Sequence, residues 1–144
     1  MLFGTRAGFG LEFHLEQDAH LLCVDVFVGG LHVNTWDNAF YPPLLVKELT
    51  DELRRFRTPG ARPAGFACDF LEWGECTNDV WAYAFPDGDW IHLACRLHGD
   101  RGTATGTEAV ATVTRTGFVE TLEQSLAVAE REWGVRRARL SGRG

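Results

Sequence analysis

The chain has 144 residues, 45% of them hydrophobic and 24% charged, proportions that exclude a disordered polypeptide or a fibrous repeat and suit one domain with its own core. Fourteen basic against twenty acidic side chains leave a net charge of −6, which argues against binding to nucleic-acid phosphates or anionic membrane surfaces. The imbalance is uneven: residues 1–130 carry a net −10, whereas Arg131, Arg136, Arg137, Arg139 and Arg143 crowd the last fourteen positions, so the expectation is a single domain over 1–135 and a basic, flexible tail over 136–144.

Phe9, Leu11, Phe13 and Leu15 alternate with polar or small residues, the period of a strand with one buried face, and Leu22, Val24, Val26 and Val28 resume it after Gln17-Asp18-Ala19-His20. Gly29-Gly30 supplies a two-residue hairpin turn into a third strand, Leu31 to Thr35. The two turns propose one register: Phe13 opposite Val24, Leu11 opposite Val26, Val28 opposite Leu31, Val26 opposite Val33 and Val24 opposite Thr35. Both turns put the apolar side chains on the same face, and a one-residue slip would turn them out.

Pro42-Pro43 stops further pairing, and Leu45, Leu49, Leu53 and Phe56 then recur at helical spacing, predicting a helix over 43–57 with Glu48, Asp51 and Glu52 on its polar side. Turn residues 58–63 end it. Phe66 to Trp73, Val80 to Phe85 and Trp90 to Leu97 read as strands, the last two joined through Asp87-Gly88 with Phe85 opposite Trp90. Ala82, Ala84, Ile91, Leu93 and Cys95 then share an apolar face, and Trp81, Tyr83, Trp90, His92 and Arg96 the other. A polar loop at 99–106, a strand over 109–114 and an amphipathic helix from about 117 to 133, with Gly134 as its cap, complete the chain. The order βββαββββα implies an α+β fold: a mainly antiparallel sheet of about seven strands with two amphipathic helices on its apolar face.

The meander's polar face lines up His14, Cys23 and Trp36 in one row, Glu12, Asp25 and Asn34 in the next, and Phe27 beside His32 in a third. Glu12 and Asp25 directly opposed repel each other, and paired carboxylates near His14 and His32 are what general acid–base catalysis or a hard-metal site uses; any enzymatic activity would rest on these four residues. Zinc is not expected: His20 to Cys23 and His92 to Cys95 are three apart, and on a strand that spacing sends the two side chains to opposite faces. No phosphate-cradling, nucleophile-elbow or dinucleotide motif is present, so no cofactor or metal is expected. The four cysteines read as free thiols of a cytoplasmic protein, since the N-terminus lacks a secretory pattern. The corner Asn34, Trp36 and Tyr41 is a candidate ligand pocket.

The sharpest compositional feature runs from Asp69 to Trp90, where Trp73, Trp81, Tyr83, Phe85 and Trp90 stand among Asp69, Glu72, Glu75, Asp79, Asp87 and Asp89 and no basic residue intervenes. Aromatic anchors ringed by acids suit a cationic protein surface: the rings supply contact area and the carboxylates steer. The candidate partner-binding set is Asp69, Glu72, Trp73, Glu75, Asp79, Trp81, Tyr83 and Trp90. With its size, acidity, element order and this segment, the chain resembles the small immunity proteins of bacterial toxin systems. That resemblance implies an inhibitor that occludes a basic protein partner without a cofactor. Two other readings stand beside it: a small enzyme or ligand binder on the polar meander face, and a homodimer through the aromatic face Trp81, Tyr83, Trp90 and His92.

Overall fold

A computed structural model describes residues 1–57, 68–97 and 107–142. The turn expected at 58–63, the loop at 99–106 and the start of the strand expected at Phe66 lie outside the described residues. The α+β class holds, with the strands divided between two antiparallel sheets.

The first sheet comprises β1 (Leu2–Gly4), β2 (Phe9–His14), β3 (Leu22–Val28), β4 (Leu31–His32) and β5 (Ala39–Phe40). β2 and β3 pair in the expected register, with Phe13 opposite Val24, Leu11 opposite Val26, Glu12 opposite Asp25 and His14 opposite Cys23. β1, too short to show a period, extends this sheet through Leu2–Glu12 and Phe3–Leu11 pairs. Beyond the Gly29-Gly30 turn the pairs Val28–Leu31 and Phe27–His32 form as expected. Val33 still donates to the Val26 carbonyl, but there the third strand breaks.

The break has a side-chain cause. Asn34 is 2% exposed and takes over the ladder: its Oδ1 accepts from the Val26 amide at 2.9 Å and its Nδ2 donates to the Val24 carbonyl at 2.8 Å. An amide that satisfies two backbone groups of β3 frees the chain to loop outward, as buried backbone needs a partner but not a backbone partner. β5 then rejoins three residues later, so that Cys23 faces Ala39 instead of the expected Trp36.

Helix α1 (Pro42–Arg57) follows, with Leu45, Leu49, Leu53 and Phe56 buried as the spacing requires. Glu52, expected on its polar side, is also fully buried. The second sheet is a meander of β6 (Cys68–Asp69), β7 (Val80–Asp87), β8 (Trp90–Leu97) and β9 (Glu108–Thr114). Its central hairpin is tighter than expected: Asp87 faces Trp90 and Phe85 faces His92, around Gly88 at φ 57°. Moving the register by two leaves every side chain on its expected face. Ala82, Ala84, Ile91, Leu93 and Cys95 are accordingly buried, and Trp81, Tyr83 and Trp90 exposed.

The strand expected from Phe66 to Trp73 is described only at Cys68–Asp69, because the chain turns at Leu71 with φ 62°. That turn lets both Phe70 and Trp73 point inward, where they are 2% and 0% exposed. A straight strand would send residues three apart to opposite faces.

Helix α2 (Arg115–Ser141) is capped by Thr114, whose hydroxyl accepts from the Gly117 amide at 3.0 Å. It continues past Gly134, the expected cap, through most of the stretch expected to be a tail. Arg136 is 3% exposed there and donates to the carbonyls of Leu15 and Asp18 at 3.0 and 3.1 Å, tying the helix to the β2–β3 loop. Phe118 is the hub of the core, 4.9 Å from Phe9, 5.1 Å from Phe56 and 5.6 Å from Phe70 between ring centroids. One core thus joins β2, α1, the segment after β6 and α2.

Candidate functional site

Both sheets bury one face and leave the other outward, and these outward faces hold most of the candidate residues. On the second sheet, the ladder sets Asp69, Tyr83, Ala94 and Val110 in one row and Trp81, Arg96 and Glu108 in the next. Trp81, Tyr83, Trp90 and Val110 are 52%, 43%, 49% and 77% exposed, more apolar surface than a solvated sheet face needs. Small Ala94 leaves a shallow apolar hollow of about 300 Å³ between Trp81, Tyr83 and Val110. The nitrogen-bearing side chains Arg96 and His92 of this face are engaged within it: Arg96 Nε donates to Glu108 Oε1 at 2.8 Å, and His92 contacts Thr112 Oγ1 at 2.9 Å and Asp87 Oδ2 at 3.2 Å. Asp69 and Asp89 are exposed at its margins, and Glu72, Glu75 and Asp79 lie on the connection leading into β7.

Trp73 leaves the partner-binding set. It is completely buried, with its ring 6.4 Å from Phe40 and its Nε1 donating to Glu52 Oε2 at 3.2 Å. This contact also explains why Glu52 turns inward, beside an Arg55 ion pair that its Oε2 accepts. Burial is the largest influence on Glu52 and pushes its carboxyl up to about 6, against the lowering effects of Arg55 and the Trp73 hydrogen bond.

On the first sheet, all four residues of the polar meander face come together around Asp25. His14 Nε2 lies 2.8 Å from Asp25 Oδ2, on the diagonal between neighbouring rows, and Asn38 Nδ2 donates to Oδ1 at 2.9 Å. His32 Nε2 stands 3.1 Å from Oδ1 on the other side, outside hydrogen-bonding alignment. Burial would raise the Asp25 carboxyl, but the Asn38 and His14 hydrogen bonds and the nearby His32 outweigh it and hold the group below its ordinary range. Glu12, directly opposite Asp25, is paired with Arg6, whose guanidinium lies 5.2 Å from the Phe27 ring centroid. An open groove of about 730 Å³, lined by His14, Glu16, Gln17, Asp25 and Asn38 among others, runs alongside. Asn38 is the member that sequence reasoning missed: it enters only because the Asn34 bridge displaces the third strand, and no periodic signal marks such a detour.

At the corner read as a ligand pocket the three side chains differ in burial. Asn34 spends its amide on β3, while Trp36 and Tyr41 are 56% and 60% exposed. All four cysteines are free. Burial, with Asp37 and Glu75 nearby, pushes the Cys76 thiol up to about 12, the reverse of what a nucleophilic thiolate needs. Among the described residues no helix is long and apolar enough to cross a membrane. Comparison of the chain with protein-family models, curated proteins and solved structures found no match.

Proposed function

We propose that this chain is a binding protein that docks a basic protein partner on the outward face of the second sheet and inhibits it by occlusion, in the manner of toxin immunity proteins. The observation that carries the reading is the exposed set Trp81, Tyr83, Trp90 and Val110 on one rigid β-ladder. Aromatic anchors on a sheet lose little conformational freedom on binding. The surrounding acids, with Arg96 and His92 already engaged, give the face the sign that attracts a cationic surface.

The test begins with capture from the lysate of the source cells at low and high salt, followed by kinetics with the purified partner. Trp81→Ala and Tyr83→Ala should each weaken binding by about 2 kcal/mol, roughly thirtyfold, chiefly through faster dissociation. Reversal of Glu72, Glu75 and Asp79 to Lys should instead slow association and reduce its salt dependence. Unchanged kinetics in both sets would overturn the reading. Sedimentation of the protein alone separates the homodimer: a dimer dispersed by Trp81→Ala would assign the face to a second copy.

A further inference from the structure

The first sheet holds two carboxylates where one would serve. Glu12 and Asp25 are direct cross-strand partners, a placement in which like charges repel. One donor atom each from Glu12, His14 and Asp25 lie within 4.8 Å of one another. A metal ion at about 2.0–2.2 Å from nitrogen and oxygen ligands needs ligand atoms roughly 3–3.5 Å apart, so modest side-chain rotations close the set. We propose that Glu12, His14 and Asp25 bind a single divalent first-row transition-metal ion, using the two carboxylates and His14 Nε2.

Three further features fit that use. The oxygens of Asp25 are divided in role: Oδ1 is held by Asn38 at 2.9 Å and flanked by His32 at 3.1 Å, while Oδ2 faces His14. An outer partner that orients a ligating carboxylate in this way is the usual second layer of a metal site. His32 Nε2 is a buried polar atom with no hydrogen bond, beside the same carboxylate. The groove along His14, Glu16 and Gln17 gives access, and leaves room for water on the remaining coordination positions.

Arg6 sets the competition. Its guanidinium neutralises Glu12 in the metal-free protein, but its side chain is 58% exposed and can swing away when an ion takes its place. One imidazole with two carboxylates, and no thiolate, suits Mn²⁺, Fe²⁺ or Zn²⁺ better than the all-oxygen preference of Ca²⁺ and Mg²⁺.

Chelator-treated full-length protein should be titrated calorimetrically with Mn²⁺ and Zn²⁺, with Mg²⁺ as the comparison. One equivalent of Mn²⁺ or Zn²⁺ should bind, with Mg²⁺ weaker by tenfold or more; Glu12→Gln and His14→Ala should each weaken it by about tenfold or more. Arg6→Ala should tighten it by removing the competing cation, a result that a merely structural cluster would not produce. Asp25→Asn should abolish binding; if that variant fails to fold, His14→Ala and Arg6→Ala decide, because both side chains are partly solvent-exposed. Absence of saturable binding, or binding equally tight in Glu12→Gln and His14→Ala, would overturn the site.

Discussion

Glu52 is a carboxylate built into the core beside an indole, and its energetics depend on pH in an unusual direction. A rise from the ordinary 4.5 to about 6 means that between these two pH values the folded protein holds a proton there which the unfolded chain releases. The associated stability is therefore present in full below pH 4.5 and is lost as pH rises through about 6, an effect of about 2 kcal/mol. Urea unfolding of the wild type and Glu52→Gln across this window should show the wild type gaining relative to the variant as pH falls; parallel curves would refute the assignment. Asn34 is the second residue with an outsized role. Asn34→Ala would leave the Val26 amide and the Val24 carbonyl buried without partners, costing roughly 2–5 kcal/mol. A urea midpoint within a few tenths of the wild type's would show that water replaces the side chain. Neither role was legible in the sequence. An amide replacing a strand leaves the apolar alternation intact, and the Glu52–Trp73 contact joins residues 21 apart through a turn at Leu71 that no glycine announces.

At the scale of elements, the two glycines of the β3–β4 turn look equivalent but are not. Both have positive φ, 58° for Gly29 and 84° for Gly30, so either would be strained by a side chain. A Cβ on Gly29, however, would stand 2.5 Å from the Val110 carbonyl oxygen of β9, while one on Gly30 would meet nothing. Gly30→Ala should therefore cost about 1 kcal/mol, and Gly29→Ala distinctly more, since backbone cannot yield as a flexible side chain can. Equal melting temperatures for the two variants would mean that the sheets do not touch there. The sequence shows why a turn needs glycine but not which turn lies against another sheet. It was most informative where two constraints agreed: both turns of the first meander demanded the same face, and the Glu12–Asp25 and His14–Cys23 rows follow from that. It was least informative where only one turn spoke, as in the hairpin whose pairing is displaced by two residues.

Across the whole molecule, the basic end of the chain is a clamp. Arg136 reaches from α2 to two carbonyls of the β2–β3 loop and pairs with Glu132, so the last turns of the helix hold the first sheet. Arg136→Ala should destabilise by about 3–5 kcal/mol, since it leaves a mostly buried carboxylate and two carbonyls without their donor; a melting temperature unchanged in that variant would contradict the clamp. The two outward faces were legible because each follows from strand periodicity, whereas the bond between α2 and the β2–β3 loop spans 118 residues and has no local signature. The same architecture divides the five tryptophans by environment. Trp36, Trp81 and Trp90 are about half exposed, Trp133 is half-buried on α2 beneath Arg137, and Trp73 is sealed in the core against Glu52. Their emission consequently combines a red, quencher-accessible component, of which docking on the second sheet would shield the Trp81 and Trp90 share, with a blue, inaccessible component from Trp73 that responds to the charge on a single carboxylate.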